Sequence, residues 1–370
     1  MSINLIIFPL IIFLGIFLGA ADSPRNRKIF IYIVSAILIL QTALRSLSVG
    51  SDTESYYIHY YDVMSMRWSQ IWDEFVGRYF YRTSQDDIGY TIMQRFISAF
   101  TDSWPIFVFA CNLIFFIPLG KLMYRYSSSM KQLVFAYVLY VSMFHIISLS
   151  GGRQLYAIGL TIFAFLYMDR GRYAWSIACM LLGAAIHMSC LLFVLPILLS
   201  RLNPKYLKTV HLVSMALVPV VLLFTNRIII LMGAAVGMDK YSDYGTEEVQ
   251  GGATTFIGLL LLVSVFCYLA IKKEELVSKR SLANLYLMLP LFTVLGPLIY
   301  SNGSMIRISM YFHLYMMLLI PLAINRFFNG FERTVAYSLI IIVLIVLSLR
   351  GGGLIYHFYW QEPHLMYANE

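Results

Sequence analysis

Long apolar runs recur along nearly the whole chain, near residues 3–20, 29–44, 104–120, 132–149, 155–168, 173–199, 209–224, 254–271, 282–301, 305–324 and 334–349. A stretch of about 18 or more such residues is the length a helix needs to cross the hydrocarbon core of a bilayer. Backbone groups in hydrocarbon must pair within their own segment, and these runs are too long for barrel strands, so helices are the economical solution. The expected fold is therefore all-α: a polytopic integral membrane helix bundle, with residues 1–370 as one transmembrane domain. Composition agrees, since 60% of the residues are hydrophobic and 12% charged, too little polar surface for a soluble globule of this length.

The first run has no Lys or Arg before it and no small-residue cleavage pattern after it, so it reads as a retained span. Cys111, Cys179, Cys190 and Cys267 all lie inside apolar segments, which indicates neither a disulfide framework nor a cysteine-based metal site. The net charge of +8 comes mostly from short connectors between spans, so it reports topology and not a nucleic-acid partner.

Cytoplasmic connectors carry the excess of Lys and Arg. Arg25, Arg27 and Lys28 mark the first connector, Lys121, Arg125 and Lys131 the third, and Arg170 with Arg172, the stretch Lys272 to Arg280, and Arg326 with Arg333 continue the series. The long second connector, 45–103, has five Arg, no Lys and eight acidic residues, which puts it on the external side; 238–253 falls there too. A simple crossing by 173–199 would place Arg201, Lys205 and Lys208 outside. Either that run, interrupted near His187 and Pro196, bends back as a re-entrant pair, or Ile228–Met238 crosses as an additional helix. The count is ten spans plus a re-entrant element, or twelve.

Region 45–103 is rich in Tyr56, Tyr57, Tyr60, Tyr61, Trp68, Trp72, Tyr79, Tyr81 and Tyr90, which fits an interfacial aromatic belt or a floor on which sugar rings stack. An ionisable side chain at membrane depth costs about 2.5 to 3.5 kcal/mol, so each needs a partner, water or a function. Arg153, in Gly151-Gly152-Arg153-Gln154, and Arg307, shortly after Ser301-Asn302-Gly303-Ser304, both fall at expected helix N-termini on the outer face. Forked guanidinium donors beside free backbone N–H groups suit a phosphate or diphosphate; the plainer reading is an arginine reaching outer-leaflet headgroups. His187 sits in an apolar stretch with no carboxylate in neighbouring turns, which more often marks a packing residue than a catalyst. Asp52 follows the second span within a few residues of the bilayer surface, placed either to deprotonate a sugar hydroxyl or to cap a helix. Asp86-Asp87 adds a second acidic site, although neighbours in sequence do not face one another on a helix.

The chain lacks a Walker A loop, a Gly-x-Ser-x-Gly elbow and a His-Glu-x-x-His helix, so nucleotide hydrolysis, esterase and zinc-protease chemistry have no support. The spans also lack the acidic relay of an ion-coupled pump.

Taken as an ordered series, Arg45, Gly50, Asp52 and Tyr56 after the second span, Asp87-Ile88-Gly89-Tyr90, Arg153-Gln154 opening a helix, Ala185-x-His187-x-Ser189 and Arg307-x-x-x-Tyr311 resemble the EpsG family of Wzy-like polysaccharide polymerases. The family usually shows Glu before the Gly-Phe or Gly-Tyr pair, where this chain has Asp87. The resemblance implies a GT-C-like enzyme of the bacterial inner membrane that joins lipid-linked oligosaccharide repeat units on the external face. Undecaprenyl diphosphate would be the leaving group and a sugar hydroxyl on a second unit the acceptor. It further implies Arg153 and Arg307 on the diphosphate, Asp52 as base with His187 as the alternative, and Arg45, Gln154, Tyr56, Tyr241, Tyr311 and Asp87 around the substrate. No cofactor or metal is implied, and the expected partners are membrane lipid, a chain-length regulator and a flippase. Competing readings are a flippase or transporter of the same lipids and an O-antigen ligase-like transferase.

Overall fold

The computed structural model describes residues 4–81, 87–236, 253–350 and 355–362. Among these residues the chain is helical nearly throughout, with nineteen α-helices and one isolated β-bridge. In order they are α1 (Asn4–Gly19), α2 (Pro24–Ala43), α3 (Thr53–Ser65), α4 (Trp68–Val76), α5 (Ile88–Ser98), α6 (Trp104–Tyr126), α7 (Met130–Met143), α8 (His145–Ser150), α9 (Gly152–Asp169) and α10 (Tyr173–Ile186). There follow α11 (Val194–Leu199), α12 (Leu207–Leu223), α13 (Thr225–Val236), α14 (Ala253–Ala270), α15 (Lys273–Ser278), α16 (Arg280–Leu295), α17 (Ile306–His313), α18 (Met316–Phe327) and α19 (Gly330–Arg350).

Among the described residues six helices are long and apolar enough to cross a membrane: Pro24–Ala43, Trp104–Tyr126, Pro204–Leu223, Ala253–Ala270, Arg280–Tyr300 and Gly330–Leu347. Gly303–His313 and Met316–Phe327 pass together as a pair bent by 58°, and Ile6–Gly19, Met130–Met143, Tyr173–Ile186 and Met188–Leu199 are shorter apolar helices. The protein is an all-α, multi-pass membrane bundle. Several of the apolar runs are interrupted. Run 132–149 breaks after Met143 into α7 and α8, and run 173–199 ends its α-helix at Ile186, continues as a 3-10 turn over Met188–Phe193 and resumes in α11. Both candidate repairs of the topology are thus structured, because Thr225–Val236 is also a helix of its own; Met238 lies outside the described residues, as does most of 238–253.

Local starts follow known chemistry. Ser23 caps α2 by accepting the Asn26 N–H at 3.1 Å, with Pro24 in the first turn, where a missing N–H costs nothing. Ser129 caps α7 in the same way, accepting from the Gln132 N–H at 3.3 Å.

The helices sort into two compact units. The first comprises residues 1–163, 181–187 and 331–370, the second residues 164–180 and 188–330. In the first, α2 packs along α6 and α1 along α7, and the segment between α2 and α6 carries α3, α4 and α5. Its aromatics divide. Tyr57, Tyr60 and Tyr90 are buried, Tyr60 stacking on Phe107 at 4.3 Å and donating to the Thr101 carbonyl at 2.6 Å. Trp68, Trp72, Tyr79 and Tyr81 are exposed. In the second unit α16 is the buried centre, packed by α12 and α17. Val221, Ile229, Leu298, Met305 and Ile308 form one apolar cluster beside it.

Candidate functional site

The chain leaves α2 at Ala43 and turns through residues 45–52 before Thr53 opens α3. Gly50 carries a φ of +94°, and a Cβ there would stand 2.0 Å from the Leu149 carbonyl oxygen, so this turn lies directly on the end of α8. Thr53 is buried; its hydroxyl donates to the Val49 carbonyl at 2.6 Å and accepts from Arg45 Nε at 3.3 Å. Arg45, 4% exposed, also donates through Nη1 to the Thr42 carbonyl. Burial lowers its pKa, and the phenols of Tyr156, Tyr356, Tyr90 and Tyr56 draw it back up. Arg45 is therefore a buried cation ringed by tyrosines, and its donors brace the turn from within.

Arg153 stands at the second position of α9, where backbone N–H groups and the helix dipole both favour an anion. Its guanidinium lies 5.8 Å from the Tyr56 ring and 5.9 Å from the Tyr90 ring, and Nη1 is 3.7 Å from Asp87 Oδ2. Gly152 leaves room for this, since a Cβ there would already touch the Tyr56 ring at 3.3 Å. Arg153 Nε is buried without a hydrogen-bond partner among the described residues. A buried donor of that kind is costly unless something accepts from it. Arg153 and Arg45 thus share Tyr56 and Tyr90, and the carboxylate paired with Arg153 is Asp87, itself buried.

Asp52 and Asp87 occupy the N-cap positions of α3 and α5, yet neither side chain makes a cap hydrogen bond. For Asp52 this removes the geometry that the helix-capping reading needs. Gly89 brings α5 against the end of α10, where an added Cβ would meet the Ala185 carbonyl oxygen at 2.5 Å. The Asp87–Tyr90 and Ala185–His187 segments are therefore packed together. His187 falls outside any helix, at the break after α10 where the sequence places an interruption, half-buried and with its backbone N–H on the Gly183 carbonyl at 2.8 Å. Gly89→Ala is expected to destabilise the protein by about 1–3 kcal/mol, because the obstacle is backbone and cannot rotate away; a thermal melt in detergent reads it.

Gln154 is buried next to Arg153 on α9. In the second unit, Arg307 is the second residue of α17 and is exposed, while Tyr311, one turn on, is fully buried with its hydroxyl 2.9 Å from Ser189 Oγ. Tyr241 lies outside the described residues, as does Asp86. Among the described residues no three His, Cys, Asp or Glu side chains are grouped to hold a metal ion.

The C-terminal segment 355–362 escaped sequence reasoning. It lies as a strap on the turn that carries Arg45: Arg45 and Phe358 form an antiparallel bridge, the Ser46 N–H donates to the His357 carbonyl at 2.9 Å, and the Tyr359 N–H donates to the Leu44 carbonyl at 3.0 Å. Tyr356 donates to the Gln41 carbonyl at 2.5 Å, and Glu362 accepts from the hydroxyls of Ser46 and Ser48 while pairing with His357 at 2.7 Å. The only signal in the sequence is an acid just after the aromatic run Tyr356-His357-Phe358-Tyr359-Trp360.

A model described as the EpsG family matches residues 28–351. The chain belongs to the EpsG family. Comparison with curated proteins and with solved structures returns no match. As an EpsG-family member this is a polysaccharide-polymerase-like membrane protein of glycosyltransferase type, and all of its clustered motifs fall within the matched residues. The strap begins beyond them.

Hydrogen bonds from Ser46, then Ser48 and His357, hold the Glu362 carboxyl down to about 2. A depressed carboxyl contributes stability that is fully present above its ordinary pKa of about 4.5 and is lost as pH falls toward about 2. Hydrogen exchange at the Ser46 and Tyr359 amides, corrected for intrinsic rate, is expected to quicken across that window. Glu362→Gln should quicken it already at pH 7; unchanged protection would assign the strap to its backbone bonds alone.

Proposed function

We propose that this protein joins undecaprenyl-diphosphate-linked oligosaccharide repeat units on the external face of the bacterial inner membrane, within a GT-C-like bundle. The observation that carries the reading is Arg153: a half-open guanidinium at a helix N-terminus, with one buried N–H lacking an acceptor, in a chain of the EpsG family. In the reaction the bond from the sugar anomeric carbon to the diphosphate oxygen breaks, and the diphosphate leaves with the electron pair. A hydroxyl oxygen of the acceptor unit bonds to that carbon, and its proton passes to a base.

Arg153 is assigned to the leaving diphosphate, where preorganised donors stabilise charge as it develops. Asp87 and Tyr56 hold the guanidinium, and Arg45 braces the turn that presents Asp52. Asp52 is assigned as the base, with His187 the alternative. Gln154 and Tyr241 are assigned to the substrate, and Tyr311 acts through Ser189. Arg307 is proposed as a second phosphate-binding arginine: Arg307→Ala is expected to slow chain growth about a hundredfold with membrane insertion unchanged. A flippase and a chain-length regulator are the proposed working partners.

Purified protein incubated with lipid-linked repeat units should produce a ladder of longer glycans and release the lipid diphosphate. Unchanged glycan length with authentic substrate would turn the reading toward a flippase, and transfer only to a non-identical acceptor toward a ligase.

A further inference from the structure

Between α2 and α6 runs a groove of about 480 Å³, within the roughly 300–1,000 Å³ of ordinary ligand sites. Its walls are apolar, including Ile31, Ala36, Ile39, Leu113 and Ile117, and Gly120 lets the Ile31 side chain close its floor, where a Cβ would be at 2.8 Å. Its cationic groups gather at one end. Lys28 lies near the start of α2 and Lys121 near the end of α6, and the Lys28 ammonium stands 5.4 Å from the Tyr124 ring. Among the described residues neither lysine has a carboxylate partner.

The groove's length fixes its occupant. From Lys28 to Ile39 along α2, at about 1.5 Å per residue, is roughly 16 Å. That is about half of the ~30 Å hydrocarbon thickness, hence the depth of one leaflet. An apolar channel one leaflet deep, with two lysines at one end that stand over the Tyr124 and Phe163 rings and have no carboxylate partner among the described residues, is complementary to a single acyl chain below an anionic headgroup. Both lysines belong to connectors whose charge marks them as cytoplasmic, and basic sites between helices on that face suit anionic lipids.

We propose that this groove binds one anionic glycerophospholipid of the cytoplasmic leaflet, an acyl chain between α2 and α6 and the phosphate between Lys28 and Lys121. The site is independent of the external one.

Native mass spectrometry of the full-length protein, titrated with phosphatidylglycerol or phosphatidylcholine, tests it. One phosphatidylglycerol should be retained at least about tenfold more strongly than phosphatidylcholine. Lys28→Ala with Lys121→Ala should abolish that preference, whereas Lys131→Ala, on the same connector side but outside the groove, should keep it. Ala36→Trp fills the channel without touching either lysine and should also lose the bound lipid, which keeps the proposal testable if the double variant does not fold. Equal retention of the two lipids, an unaltered double variant, or displacement of phosphatidylglycerol by an equimolar polyprenyl phosphate would each overturn it.

Discussion

Arg153→Ala is expected to lower chain growth by about a hundred- to a thousandfold, the cost of deleting one preorganised donor to a developing oxyanion. The side chain is partly open to the surroundings and is held by contacts that break without leaving a hole: two tyrosine faces and a 3.7 Å pair with Asp87. Protein level and insertion should therefore be unchanged. Arg153→Lys should recover little, since an ammonium is a point charge that offers no planar fork beside the Tyr56 and Tyr90 rings and no two parallel N–H groups to a phosphate. Asp87→Asn removes the charge that orients the guanidinium while leaving it present, so its effect should be smaller, about tenfold. Glycan length distributions from membranes carrying each variant decide the matter. A normal distribution for Arg153→Ala would assign the arginine to lipid headgroups.

Asp52→Asn is expected to lower turnover by about a hundredfold or more, at the lower end of what a general base contributes. Asparagine is a clean probe here because it caps helices as well as aspartate does. The Asp52 side chain makes no cap hydrogen bond, so the substitution leaves the start of α3 intact. The loss should fall on kcat, with KM for the lipid-linked donor within about twofold. An unaltered rate for Asp52→Asn, with loss on His187→Ala instead, would move the base to the break after α10.

The helical class was legible from the apolar runs because a chain in hydrocarbon has no other way to satisfy its backbone. The starts of α9 and α17 were legible too, and with them the placing of Arg153 and Arg307 at helix N-termini. Most of the interruptions were not. The break near His187 was marked in the sequence, but Phe144 and the 58° bend near Leu314 sit in stretches whose hydropathy runs on, and a break set by local packing leaves no mark on an apolar pattern. Nor does spacing tell which way an arginine points: Nε and Nη1 of Arg45 turn inward to Thr53 and Thr42. The strap is the clearest case. Ser46 and Glu362 are 316 positions apart, and their contact is made by hydroxyls and backbone with no periodicity to announce it.

A structure of the protein with a lipid-linked diphosphate bound decides whether Arg153 receives that group. A phosphate oxygen is expected about 2.7–2.9 Å from Arg153 Nε, with the Tyr56 ring still beside the guanidinium. A diphosphate seated elsewhere, with Arg153 closed onto Asp87 and its Nε still lacking an acceptor, would contradict it.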